Sequence, residues 1–373
     1  MDILLNINVL GLTLYNNSFI SKDIFGIIKI ILYLYIIILC FEKNFSKKEI
    51  VLFIFSIVIF FMTKRLYLST FLLIIIFFNY KYYKRYYLLN FILLSFLLLS
   101  IILFSKLDII ENNILKYNIY GYQGIQIRQS LGFSNPNMVG IIFTTIRYSF
   151  YYLNYYKLKL YHFFILGFLT YYFYFQTYSR TLLLVFYFEI ILFYIIKYRY
   201  VLLKKIIIAI PILHMFSFFL GSIFFYNTKL NNLLSNRLSY SYIFFKNLNL
   251  KSFLFGNKKD FYLPLDNAWT ALLQNYGIIV TIIMLILITN GIKKLLLFER
   301  EFKIKKIIFL FLICLFNSTS EAILFSPYYS FITIILIKYN FYSRKKNDRS
   351  KNIKKNSICK KIKLIIGLKE KNF

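Results

Sequence analysis

Apolar positions along this chain come in long, nearly unbroken runs, separated by short polar connections rather than interleaved with a polar face. A helix on a soluble domain keeps one polar stripe; helices built from these runs are apolar all round, which predicts an all-α, polytopic integral membrane protein. The runs place spans at about 24–41, 49–63, 66–80 and 87–105, then 137–156, 160–178, 181–198 and 206–226, and last 267–289, 307–320 and 325–340. Residues 1–20 hold a further run interrupted by Asn6, Asn8, Asn16 and Asn17, so the expected count is eleven or twelve transmembrane helices. Several runs fall short of the ~20 residues of a full crossing. Two connections are long, 106–136 and 227–266. The organisation expected is a transmembrane domain over 1–340 and a basic tail over 341–373, in which 362–368 is at most an interfacial turn.

Lysine and arginine set the orientation. Connections 42–48, 81–86, 157–159, 197–205 and 290–306 and the tail are rich in them, whereas 106–136, 179–180 and 321–326 are poor. The loop 227–266 has a lower density of basic residues, and only Lys64 and Arg65 break the alternation. Positive loops stay in the cytoplasm, so the tail is expected inside and both long loops outside. No small-residue cleavage site follows a basic start, so the N-terminus reads as an uncleaved anchor.

Composition narrows the class further. The formal net charge of +32 suggests nucleic acid in a soluble protein. Here Lys, Asn, Ile, Phe and Tyr rise together, as in an AT-rich coding sequence, and much of the excess lies between spans, where it faces anionic headgroups. No nucleic-acid partner is expected. Cys40, Cys314 and Cys359 have no pairing or metal spacing, His162 and His214 stand isolated, and no phosphate-binding glycine loop of the Walker type occurs. Neither a metal nor a cofactor is expected.

The polar residues that could carry chemistry fall on the predicted outer side. The segment 121–140 is glycine-rich and holds Arg128; Asn135 and Pro136 make a turn, and Asn137 is expected to cap the following helix. Arg180 is pinned in a turn between two apolar runs, either as a snorkelling anchor or as a bidentate phosphate clamp. Arg237 lies in an expected amphipathic surface helix over 230–248, facing a lipid or a substrate phosphate. Asp266 and Asn267 open the span 267–289, where a cap is the ordinary role. Trp269, the single tryptophan, belongs in an interfacial belt, and Glu321 should avoid lipid by facing protein or water. Deeper in the bundle, Arg147 and Glu189 fall at matching depths, about 13–15 Å below the outer surface at ~1.5 Å per residue. Equal depth and opposite sign predict a pair.

These pieces, in this order, resemble the Wzy-type polymerases of O-antigen, capsule and exopolysaccharide. The resemblance rests on 128–140 with Gly132-Phe133-Ser134-Asn135-Pro136-Asn137, on Tyr178-Ser179-Arg180-Thr181, on Arg237 with Phe255-Gly256-Asn257, on Asp266-Asn267 followed by Gly277, and on Ser320-Glu321. It covers about residues 120–325; the N-terminal third is similar only as apolar spans. It implies a glycosyltransferase-type enzyme in the bacterial cytoplasmic (inner) membrane with its active face extracytoplasmic. The substrate would be an oligosaccharide repeat unit on undecaprenyl pyrophosphate, with flippase and chain-length regulator proteins as companions. Arg128, Arg180 and Arg237 would stabilise the leaving pyrophosphate, and Asp266 or Glu321 would act as base. Asn135, Asn137, Ser179 and Asn267 would contact substrate.

Two alternatives stay open. Ligases of similar architecture use a histidine in a large outer loop, and neither long loop here contains one. A flippase or transporter would be equally polytopic and basic, but gathers no arginines on one face and more often shows internal repeats.

Overall fold

A computed structural model describes residues 46–63, 66–77, 82–112, 114–118, 125–133, 135–229, 231, 236–257, 265–326 and 329–341. The expected spans over 1–20 and 24–41, Ser134, and the tail beyond 341 lie outside the described residues. Contacts divide the chain into two units, Met1–Asn340 and Phe341–Phe373; all that follows concerns the first.

The fold is mostly helical, with twelve α-helices among the described residues. In chain order they are α1 (Lys47–Thr63), α2 (Leu66–Phe77), α3 (Tyr83–Lys106), α4 (Pro136–Asn154), α5 (Leu160–Thr177) and α6 (Arg180–Ile206). There follow α7 (Ile210–Phe224), α8 (Arg237–Lys246), α9 (Leu250–Phe255), α10 (Ala268–Phe298), α11 (Glu301–Asn317) and α12 (Phe331–Lys338). Three of them, α3, α6 and α10, at 24, 27 and 31 residues, are long and apolar enough to cross a membrane. Their outward faces are apolar too: Phe96 is 72% exposed and Val201 73%. Polar groups sit inside instead, the reverse of a soluble domain.

Several boundaries differ from the apolar runs for identifiable reasons. Helix α6 runs on past its apolar stretch, kinking at Arg199 (φ −123°, ψ 25°), to a last turn in which Lys204 and Lys205 complement the helix dipole. Helix α11 begins at Glu301, an acidic residue in its first turn, before its apolar run starts. The 106–136 connection is not a bare loop. It contains an antiparallel pair, β1 (Ile114–Asn118) and β2 (Ile125–Gln129), with Leu115 opposite Arg128, so the expected helical class holds as mostly helical, with one short hairpin. The cap of α4 is Asn135 rather than Asn137: its side chain accepts the Asn137 N–H, and Pro136 occupies the first helical position, where no N–H is needed. The connection 227–266 contains α8 and α9; on α8, Leu238, Ser241 and Phe244 are buried.

Helix α10 is broken at Gly277, whose φ of 80° and ψ of 175° are open only to glycine. Helix α9 fills the break. A Cβ at Gly277 would lie 2.2 Å from the Leu254 carbonyl oxygen, and the Asn257 N–H donates to the Gln274 carbonyl at 2.6 Å.

The core around α3 and α4 is a cluster that includes Leu98, Ile101, Phe133, Val139, Ile142 and Phe143, closed by Phe173 of α5 and Leu182 of α6. Next to it lies the expected pair. Arg147 and Glu189 are fully buried, 3.0 Å apart. Arg147 also donates to Thr170 at 3.0 Å, Tyr151 donates to Glu189 at 2.8 Å, and the guanidinium lies over the Phe143 and Phe186 rings.

Candidate functional site

The hairpin brings Arg128 to the junction of three helix ends. Its Nε donates to the Thr177 carbonyl at the end of α5, at 2.7 Å, and a terminal nitrogen donates to Asn137 Oδ1, also at 2.7 Å. A cation on the last carbonyls of a helix is favourably placed. From Thr177 the chain turns through Tyr178, held at φ 48°, and Ser179, buried beside Gly140, into α6. Arg180 is the first residue of α6; it is exposed and has no hydrogen bond or ion pair among the described residues.

Arg237 opens α8, and the carbonyl oxygen of the Asn231 side chain accepts from the N–H groups of Leu238 and Ser239 just after it. The nearly buried guanidinium sits between two carboxylates, 3.4 Å from Asp266 Oδ2 and 3.6 Å from Glu321 Oε1. Asp266 keeps 37% of its side-chain surface and Glu321 only 13%. Glu321 therefore faces protein, as its position at the end of an apolar run required. Burial pushes its carboxyl up to about 8; Asp266 adds to the rise, while Arg237 and Arg128 oppose it. Asp266 is also raised by burial, against the pull of Arg237. The fold thus joins Arg128, Asn137, Arg237, Asp266 and Glu321 in one electrostatic cluster from four separate stretches of chain. Two carboxylates with raised proton affinity, held by a guanidinium between them, can exchange a proton.

Two of the residues expected to contact substrate, Asn267 and Ser179, are engaged within the fold. Asn267 is buried and spent on structure: its carbonyl oxygen accepts from Trp269 and Thr270, and its amide donates to Ser318. That makes Asn267, not Asp266, the cap of α10 and leaves the Asp266 carboxylate to Arg237. Ser179, 4% exposed, packs against Gly140 and offers no surface. Asn135 stays exposed but holds the cap of α4.

The sequence reading also missed a pair. Trp269 is fully buried in protein, and its indole N–H donates to His214 Nδ1 at 2.9 Å. The available signal was that a buried indole needs an acceptor, and His214 is one of only two histidines. His214 lines a cavity of about 240 Å³ between α6, α7, α8 and the end of α11. Thr181, Leu238 and Ser320 border it, the chain neighbours of Arg180, Arg237 and Glu321. No group of three His, Cys, Asp or Glu residues that could hold a metal occurs among the described residues.

Comparison of the chain with protein-family models, with curated proteins and with solved structures finds no match.

Proposed function

We propose that the protein polymerises undecaprenyl-pyrophosphate-linked oligosaccharide repeat units in the synthesis of O-antigen, capsule or exopolysaccharide. It would act at the outer face of a bacterial inner membrane, with eleven or twelve crossings and both long connections outside. The observation that carries this reading is Arg237 held between Asp266 and Glu321, within the field of Arg128 and beside a cavity. In the reaction, an acceptor hydroxyl oxygen attacks the anomeric carbon of the growing chain, the bond from that carbon to the pyrophosphate oxygen breaks, and the hydroxyl proton passes to a carboxylate. Glu321 and Asp266 are the bases available, and a carboxylate with raised proton affinity is the stronger base once ionised. Developing charge on the leaving group needs donors. Arg237 is already engaged by two carboxylates and Arg128 by Asn137 and Thr177, which makes Arg180 the pyrophosphate clamp and gives the other two the task of holding the bases and the field.

The test is deletion of the gene, followed by gels of surface glycan and lipid-linked intermediates. A polymerase leaves single repeat units that still reach their final acceptor. Lipid-linked units trapped inside would instead mark a flippase. His214 beside the cavity keeps ligase-type transfer as the second reading; long polymer retained on the lipid carrier would establish it.

A further inference from the structure

We infer that the cavity beside the Arg237 cluster seats an uncharged sugar ring, with the His214 Nε2–H donating to one of its oxygens. This deepens the proposed function and rests on it for naming that ring as part of the acceptor. An indole N–H only donates, so Nδ1 of His214, which accepts from Trp269, carries no proton. The neutral ring then bears its hydrogen on Nε2, and that nitrogen is buried without a hydrogen-bond partner among the described residues. A buried N–H left unsatisfied is costly, and a ligand oxygen would relieve it.

The remaining wall says which ligand. Among the described residues no charged side chain lines the cavity, so it is not built for phosphate, which the exposed Arg180 is placed to take. Ser217 donates to the His214 carbonyl and Thr319 to the Phe316 carbonyl, and Thr319 also meets the Ser320 hydroxyl at 3.3 Å, so the two wall hydroxyls keep acceptor capacity for a ligand while the imidazole supplies a donor. Groups that give and accept hydrogen bonds on one small molecule are hydroxyls. Phe218 and Phe316 add apolar surface, matching the C–H faces of a pyranose. The volume, about 240 Å³, lies below the ~300 Å³ at which drug-sized pockets begin and suits one ring rather than a chain.

The single tryptophan makes this testable. In the purified full-length protein, excitation at the red edge of indole absorption reports Trp269, and any ligand hydrogen-bonded to His214 perturbs it. The probes are the methyl glycosides of glucose, galactose and N-acetylglucosamine, with farnesol as an apolar comparison. At least one glycoside should give a saturable change, weakened tenfold or more in Ser217→Phe, which fills the cavity, and retained in Arg180→Ala. His214→Gln, which keeps an N–H donor, should bind more tightly than His214→Phe. A response to farnesol alone, no response to any probe, or glycoside binding unaltered by Ser217→Phe overturns the inference. Glycoside binding in a protein whose deletion leaves polymer length intact would keep the sugar site and remove the polymerase.

Discussion

Replacing Arg147 or Glu189 by methionine tests the buried pair directly. Glu189 accepts two hydrogen bonds from Arg147 and one from Tyr151, so Arg147→Met strands a buried carboxylate on a single phenol. Glu189→Met strands a guanidinium on Thr170, Thr144 and two aromatic faces. Breaking one side of a buried pair costs about 3–5 kcal/mol, a large share of the ~5–15 kcal/mol that holds a domain together. The double variant removes both charges. It leaves the Tyr151 hydroxyl without its acceptor, a loss of about 1–3 kcal/mol; Thr170 already donates to the Leu166 carbonyl, and Thr144, which loses its long 3.4 Å contact, can turn its hydroxyl onto the carbonyl one turn back in its own helix. The double variant should therefore be more stable than either single one, and adding Tyr151→Phe should recover most of what remains. Thermal unfolding of the purified variants in one detergent, with the folded fraction read by size exclusion, gives the comparison. Losses in the double variant equal to the sum of the two singles would show that the residues do not act as a pair.

Other outcomes follow from the site and its supports. Arg180→Ala and Arg180→Lys should both shorten polymer in cells, with transfer slowed roughly 10²–10³-fold and membrane protein level unchanged; wild-type polymer from the lysine variant reduces Arg180 to an anchor. The folded-state carboxyl of Glu321 is raised, so its contribution to stability is complete below about 4.5, the ordinary value, and is lost as pH rises through about 8. Glu321→Gln should flatten the melting temperature across that window, and an unchanged pH profile refutes the assignment. Gly277→Ala should destabilise by about 2 kcal/mol or more through its positive φ and the Leu254 carbonyl, whereas an unaltered melting curve would mean the break relaxes freely. With the native cysteines replaced, Lys251→Cys should react with an impermeant maleimide in intact cells and Lys204→Cys only after lysis; the reverse pattern puts the cluster in the cytoplasm.

What could be read from the sequence was what depends on depth and local chemistry. Run length located most of the described helices to within a turn or so, and counting residues inward from the expected outer ends matched Arg147 with Glu189. The need of Glu321 to avoid lipid correctly turned it toward protein. What stayed hidden depends on long-range meetings. Nothing local says that Arg237 will reach both Asp266 and Glu321, residues 29 and 84 positions further on. The Trp269–His214 bond joins two apolar runs 55 residues apart, and no motif links the two residues. Of the hairpin around Arg128, β2 alternates over Ile125, Gln126, Ile127 and Arg128, but β1, Ile114-Leu115-Lys116-Tyr117-Asn118, does not, so no partner for the short alternating stretch stood out. Asn267 and Asp266 are both good caps, and only the geometry shows which of the two capped α10 and which was left for Arg237.

The break in α10 bears on how this family of shapes could vary over time. Surface connections ordinarily drift in length and sequence, but the piece from Leu250 to Asn257 stands in for backbone contacts that a continuous helix would make for itself. Lengthening it by one residue would move Leu254 off Gly277 and Asn257 off the Gln274 carbonyl together. Gly256, whose own Cβ would lie 2.7 Å from the Asn275 backbone, locks the opposite side of the same joint. Descendants of this chain are therefore expected to keep both glycines and the eight-residue spacing of 250–257 or to lose all of them at once, by healing α10 into one uninterrupted helix and setting the connection free to diverge.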